Sequence, residues 1–167
     1  MKEIKLTQNK VALVDDSDFE WLNKLTWCAA KRKHTYYAYT TNLKGKRGST
    51  IAMHRLIMET PIGKRVDHKD HNGLNCQRNN MRNCTNRENQ MNKTPHGSSK
   101  YLGVSFCKIN NNYHAQIRIN GNNTHIGYYK NEIDAALAYN EKAKIHHGEF
   151  ANLNQVANYI RDNANKL

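Results

Sequence analysis

Residues 66–93, VDHKDHNGLNCQRNNMRNCTNRENQMNK, combine carboxylates, imidazoles and many amides with few apolar side chains. The Asp67 carboxylate and the Asn89 amide oxygen are hard donors, suited to Mg²⁺ with waters completing its shell. A neutral His68 beside such an ion could take a proton from water. Asparagine is a poor residue inside helices and strands because its amide competes for the backbone. So much of it in one stretch implies either a solvated loop or polar groups arranged to hold something.

Positioning these groups requires a particular order of elements. RVDH (65–68) reads as a short strand, Asn72-Gly73 as a turn, and MRNC (81–84) as the returning strand. Thr85 and Glu88 form a T-x-x-E capping box, so a helix should begin near Asn86 and stop before Pro95. Strand alternation sends Asp67 and His68 to opposite faces. A helix lying across the hairpin could bring Asn89 near Asp67.

The pattern DH…N…N, with Asn80 12 residues after His68 and Asn89 22 after Asp67, resembles the HNH motif of ββα-metal nucleases. The likeness is to the phage and intron homing endonucleases in particular. MHRLIM (53–58) resembles the histidine-arginine helix that often precedes the motif in them, so the likeness covers roughly residues 50–93. The resemblance implies that Asp67 and Asn89 bind a divalent metal, Mg²⁺ or alternatively Mn²⁺. It makes His68 the general base and Asn80 the residue that pins the loop orienting it, with Asn79 the alternative one position away. It also implies hydrolysis of a phosphodiester to 5′-phosphate and 3′-hydroxyl ends. This chain departs from the family's usual DHxDGN in reading DHKDHNG, which puts His71 in the turn as a solvated residue and Asp70 as a turn-former. Arg82 or Arg87 could clamp a neighbouring phosphate or could be a plain surface charge.

Residues 1–60 read as a small α+β extension. Ile4, Leu6, Val11 and Leu13 follow strand periodicity, and Ser17 with Glu20 fits a second capping box over a helix bearing Phe19, Leu22 and Leu25. TYYAYTT (35–41) is rich in strand formers, with Tyr36, Tyr37 and Tyr39 half-buried. LKGKRGST (43–50) is a basic turn, and IAMHRLIME (51–59) is a helix or a strand-to-helix passage. The boundary expected from Pro95, Gly97 and the serines divides the chain into a nuclease unit (1–93), a linker (94–99), a second domain (100–154) and a tail (155–167). A weak C-terminal helix is expected through Leu153, Val156 and Ile160.

The second domain changes character. YLGVSFCK, YHAQIRI and NTHIGYY are three strand-like runs separated by NNN and NGNN turns. NEIDAALAYNEKAKIHHG follows as a helix with Ile133, Ala136 and Leu137 as its apolar stripe. Alternation turns Ala115, Ile117 and Ile119 toward the helix and His114, Gln116 and Arg118 outward. SKYLGV, YHAQIRI, THIGYY and EIDAALAYNEKAKIHHGEFANLN resemble the AP2 DNA-binding domain across residues 99–154. Its sheet lies in the DNA major groove. That resemblance makes Ser105, Cys107, Gln116, Arg118, Asn123, His125 and Tyr128 candidate DNA contacts, with Lys100 and Lys108 holding phosphates. Plant-type modules carry arginines on the first strand where this chain has Leu102, Ser105 and Cys107, so the target sequence is not carried over.

The whole is an α+β chain of 167 residues at net +12, and the charge is distributed: +5 over residues 1–60, +4 over 61–99 and +3 over 100–167. Basic character throughout suits a chain lying along a polyanion, here double-stranded DNA. With 38% hydrophobic residues, two or three small cores are expected rather than one large one. No run of about 20 apolar residues suggests a membrane span, and no signal-peptide pattern opens the chain. A cytoplasmic protein with four reduced thiols (Cys28, Cys76, Cys84, Cys107) is expected, acting as monomer or homodimer and without a small-molecule substrate. Two other readings stay open: a non-catalytic DNA-binding regulator with a decayed nuclease fold, and an RNA-binding protein in which Cys76 and Cys84 join histidines around zinc.

Overall fold

The structure, a computed structural model, describes residues 1–41, 50–95 and 97–156. It is a mixed α/β chain of several small antiparallel sheets with a helix in its C-terminal part. Two compact units divide between Asn89 and Gln90. The boundary lies a few residues before the expected linker; the Lys93 carbonyl, in the second unit, accepts a hydrogen bond from Asn152 Nδ2 at 2.6 Å. The basic turn at 43–50 falls almost wholly outside the described residues, as does most of the expected C-terminal tail. Among the described residues no helix is long and apolar enough to cross a membrane.

The first unit opens with a hairpin, β1 (Lys2–Lys5) and β2 (Val11–Val14), turned at Gln8 and Asn9, both in left-handed backbone. Helix α1 (Asp16–Leu22) follows. Its expected Ser17–Glu20 capping box does not form. Asp15 occupies the cap position, and its carboxylate instead accepts from the Arg78 backbone N–H at 2.8 Å, a contact 63 residues away. A second sheet, β3 (Cys28–Arg32), β4 (Thr35–Thr40) and β5 (Ile51–Ala52), leads directly into α2 (Met53–Ile57), the anticipated strand-to-helix passage. Strands β6 (Arg65–His68) and β7 (Met81–Cys84) then pair antiparallel, and α3 (Asn86–Asn89) packs on both. At α3 the capping box does form: the Glu88 N–H donates to Thr85 Oγ1 at 3.2 Å and the Thr85 N–H to Glu88 Oε2 at 2.6 Å. The helix is a single turn, so Asn89 is its last residue. Ile4, Val14, Leu22, Trp27, Met53, Ile57 and Met81 are buried in one core beneath these sheets.

The long connection between β6 and β7 has few apolar residues and is held from outside. Leu13 bridges it, donating to Leu74 O and accepting from Cys76 N–H, each at 2.8 Å. Arg78 donates from Nε and Nη2 to the two oxygens of buried Asp18, both at 2.7 Å, which holds the Asp18 carboxyl below its usual range. The Gly73 N–H donates to Thr35 Oγ1 at 3.0 Å.

In the second unit β8 (Val104–Cys107), β9 (Asn112–Ile119) and β10 (Asn122–Tyr129) form an antiparallel sheet with β9 central, and α4 (Glu132–His147) packs across one face. The Asn131 side chain caps α4 by accepting from the Asp134 N–H at 2.8 Å. The buried face of α4 is Ala135, Ala136, Tyr139, Ala143 and His147, not the expected Ile133 and Leu137, which are only half-buried. Small residues let the helix lie close on Val104, Ala115 and Ile117. Residues 148–156 run as a short 3₁₀ turn, Gly148–Phe150, followed by irregular chain at Leu153 and Val156; the rest of the expected C-terminal helix, Ile160 included, lies outside the described residues. Their Asn154 is used to close the unit: its Oδ1 accepts from the Leu102 N–H, and its backbone exchanges hydrogen bonds with the Asn140 amide.

Gly73 tests how tightly the connection is seated. A Cβ there would lie 2.5 Å from Tyr37 Cε1 and 2.6 Å from the Tyr36 carbonyl oxygen. The backbone cannot yield cheaply, so Gly73→Ala should cost about 1–3 kcal/mol of stability in urea titrations.

Candidate active site and candidate nucleic-acid interface

The β6–β7 register places Asp67 directly opposite Arg82 and His68 opposite Met81. Directly opposed residues share a face. Accordingly Arg82 donates from Nε and Nη2 to Asp67 Oδ2 at 2.8 and 2.7 Å, with both side chains largely withdrawn from solvent. An Arg82 engaged in this way is committed first to the carboxylate beside it. Arg87, the other candidate clamp, is exposed on α3, and Asn89 is half-buried at that helix's end.

His68 is 6% exposed. Its ring meets two others edge-on: His54 of α2 at 5.2 Å and 87°, and Tyr37 of β4 at 5.7 Å and 60°. Tyr37 and His54 also touch, at 5.2 Å. Burial lowers the pKa of His68, opposed by the nearby Asp70 and Asp67 carboxylates. The imidazole is therefore neutral near pH 7, the form in which a histidine can accept a proton. Burial, followed by the charges of His68 and Arg55, pushes His54 down to about 3. Its Nδ1 is buried without a hydrogen-bond partner among the described residues. Neither His54 nor Tyr37 was singled out for the site from sequence. The likeness of MHRLIM was the available signal for His54; Tyr37 read as an ordinary half-buried strand residue.

Asn80 sits in the 3₁₀ turn Arg78–Asn80 and is buried. Its Nδ2 donates to Asp70 Oδ1 and to the Asn75 carbonyl, both at 2.9 Å, and its Oδ1 accepts from the Asp70 N–H at 3.2 Å. Its own carbonyl accepts from the Lys69 N–H at 2.9 Å. Asp70 also accepts from the Asn72 N–H and the Asn75 amide. Burial works to raise the Asp70 carboxyl, but these hydrogen bonds together hold it below its usual range. His71 is exposed in left-handed backbone. Asn79 is exposed and contributes its carbonyl to Lys69 Nζ at 2.8 Å. Cys76 and Cys84 are buried free thiols, and among the described residues no three His, Cys, Asp or Glu side chains are grouped as a metal site would need.

The second unit presents the sheet face opposite α4. Register pairs Ser105 with His114, Cys107 with Asn112, Gln116 with His125, Arg118 with Asn123 and His114 with Tyr128, so all seven candidate strand contacts share that face. Arg118, Asn123, His125 and Tyr128 are exposed on it; Ser105, Cys107 and Gln116 are half-buried. Arg118 Nε donates to the Gly121 carbonyl of its own turn at 2.9 Å, which steadies the guanidinium. Lys100 and Lys108 are exposed at the unit's edge, Lys100 over the ring of Tyr101.

Comparison with known proteins adds one relative. A protein of Acanthamoeba polyphaga mimivirus, named an uncharacterized HNH endonuclease, is 38% identical over 121 residues, covering 72% of this chain. The chain spans 56% of that relative's length. No family model matches the chain. No solved structure matches it either.

The buried imidazoles make stability depend on pH in a defined direction. An unfolded His54 gains its proton as pH falls through about 6.5, while the folded one stays neutral down to about 3. Stability supported by the neutral ring is complete above pH 6.5 and is lost progressively between 6.5 and 3. Urea midpoints should fall across that window in the wild type and fall less in His54→Phe, which keeps a ring but cannot titrate.

Proposed function

We propose that the chain is a divalent-metal-dependent DNA endonuclease of the HNH, homing type, guided by an AP2-like C-terminal module. The observation that carries this is a neutral, buried His68 next to Asp67, on a hairpin whose connection Asn80 closes, in a chain similar to a relative named an HNH endonuclease.

In this reading His68 takes a proton from a water molecule, and the resulting hydroxide attacks the scissile phosphorus in line with the departing 3′ oxygen. Tyr37 and His54 restrict the plane of the His68 ring, which limits where its lone pair can point. Asn80 holds the connection that follows His68. The products are 5′-phosphate and 3′-hydroxyl ends.

The donor set suits a hard cation. Asp67 and Asn89 supply a carboxylate and an amide oxygen, and α3 packs on the strand that carries Asp67. Arg82 occupies one carboxylate oxygen, but a carboxylate has about four acceptor positions and can serve a guanidinium and a cation together. Asp67 and Asn89 would hold Mg²⁺ or Mn²⁺, which would stabilise the negative charge that develops on the phosphate and leaving oxygens. One such centre per chain cuts one strand per encounter, so a double-strand break requires two chains or two encounters.

The Arg82–Asp67 pair is also what a regulator with a decayed nuclease fold would retain, and one assay separates the two. Supercoiled plasmid with Mg²⁺ or Mn²⁺ should be nicked or linearised by the full chain. His68→Ala should lower single-turnover cleavage by roughly 10²–10⁴-fold while DNA affinity stays nearly unchanged. Asn89→Ala should weaken metal-dependent cleavage more than affinity. DNA binding without cleavage under every divalent metal tried would establish the regulator instead.

Division of labour gives a further expectation. Arg118→Ala should weaken preference for the chosen site by roughly 1–3 kcal/mol and leave cleavage of saturated complex largely intact. Loss of single-turnover cleavage at saturation would contradict it.

A further inference from the structure

The exposed sheet face of the second unit carries a contact between imidazoles that the roles above do not use. His114 Nε2 of β9 lies 2.8 Å from His125 Nδ1 of β10. The ring planes lie within 16° of parallel, side by side, with centroids 4.9 Å apart. Tyr128, which is 57% exposed, lies against both, at 5.1 Å from His114 and 4.9 Å from His125. An irregularity in register between His125 and Gly127 shortens the spacing along β10 so that Tyr128 reaches this position opposite His114.

Two ring nitrogens at hydrogen-bonding distance share a single hydrogen, because one must donate and the other accept. The sharing therefore determines what the outer nitrogen of His125 can do. When His114 Nε2–H donates, His125 Nδ1 is the acceptor, and a neutral His125 carries its own hydrogen on Nε2. In the reverse arrangement His125 Nε2 is a bare acceptor. Two considerations favour the first. Phosphates drawn to a face that carries Arg118 create a negative potential that favours an N–H pointing toward the nucleic acid. Guanine presents two adjacent acceptors, N7 and O6, in the major groove, whereas adenine sets a donor beside its N7. Burial, followed by the neighbouring His125, lowers the pKa of His114, consistent with a neutral partner in the shared bond.

We propose that His114 and His125 act as one reading unit, in which His114 sets the tautomer and ring plane of His125, and His125 Nε2–H is offered to the N7/O6 edge of a guanine. Tyr128 braces the pair from the side. His114 is a positioning residue, since it acts through His125. The inference rests on the proposed DNA-binding role of this sheet, but the imidazole pair itself can be tested without DNA.

Side-chain ¹⁵N spectra of the imidazoles in the full free chain test the pair directly. His125 Nδ1 should be unprotonated and Nε2 protonated in the wild type, and His114→Phe should release His125 into a mixture of tautomers. Selection from randomised duplex DNA tests the reading. Wild type should prefer guanine at one position, and His114→Phe and His125→Phe should each reduce that preference at least fivefold. His114→Gln, whose amide can again donate, should restore most of it. A protonated His125 Nδ1 in the wild type would overturn the proposal. So would a guanine preference that survives His114→Phe but not His125→Phe, since His125 would then read alone. An intact imidazole pair in a chain whose sheet-face variants leave DNA binding untouched would instead overturn the DNA-binding role on which the proposal rests.

Discussion

The connection between β6 and β7 gives the core only Cys76 and part of Leu74, so the shape of the rest depends on the side-chain amide of Asn80. Both amide hydrogens and the amide oxygen are used, on Asp70 and on the Asn75 backbone. Hydrogen bonds to an ionised partner contribute roughly 1.5–3 kcal/mol, more than neutral ones. An apolar residue at this position would leave Asp70 short of a donor and the Asn75 carbonyl short of a partner. The network is local, and it is fastened to the rest of the first unit by Arg78 on Asp18 and by Leu13 on the chain either side of Asn75. Asparagine's competition with regular secondary structure is here what lets the segment form a defined irregular one.

Around this segment the first unit keeps two kinds of polar group in opposite electrical states. Asp67 is buried but faces a guanidinium, which offsets the cost of withdrawing a carboxylate from water. His68 and His54 are withdrawn among rings, which favours their neutral forms. The strand's period of two separates these environments within adjacent residues: Asp67 meets Arg82 across the hairpin, and His68 meets α2 and β4. In the proposed nuclease the neutral His68 would serve as the base, and the burial that keeps it neutral is a liability as pH falls.

The second unit solves a different problem. Its alanine-rich helix face lies close to the sheet, and Gly103 admits the Tyr139 ring, which a Cβ would meet at 2.1 Å. With one face of the sheet covered by α4, the other presents Arg118 among polar and aromatic side chains in fixed register. Fixed register matters for any role in recognition, because it sets the spacing of the groups offered.

Local patterns were enough to locate β4, β6, β7, the Thr85–Glu88 cap and the three strands and helix of the second unit, because period, turn residues and capping act over a few positions. Tertiary structure decided what local sequence cannot encode. The expected Ser17–Glu20 box gave way to Asp15 at the cap position, its carboxylate on the Arg78 backbone 63 residues away, and α4 buried Ala135, Ala136 and Ala143 because close approach to the sheet favours small residues over Ile133 and Leu137. Arg82 became the partner of Asp67 through strand register, and His54 and Tyr37 joined His68 through the packing of three separate elements. Burial, and with it the protonation of these rings, is a property of what surrounds a residue in space.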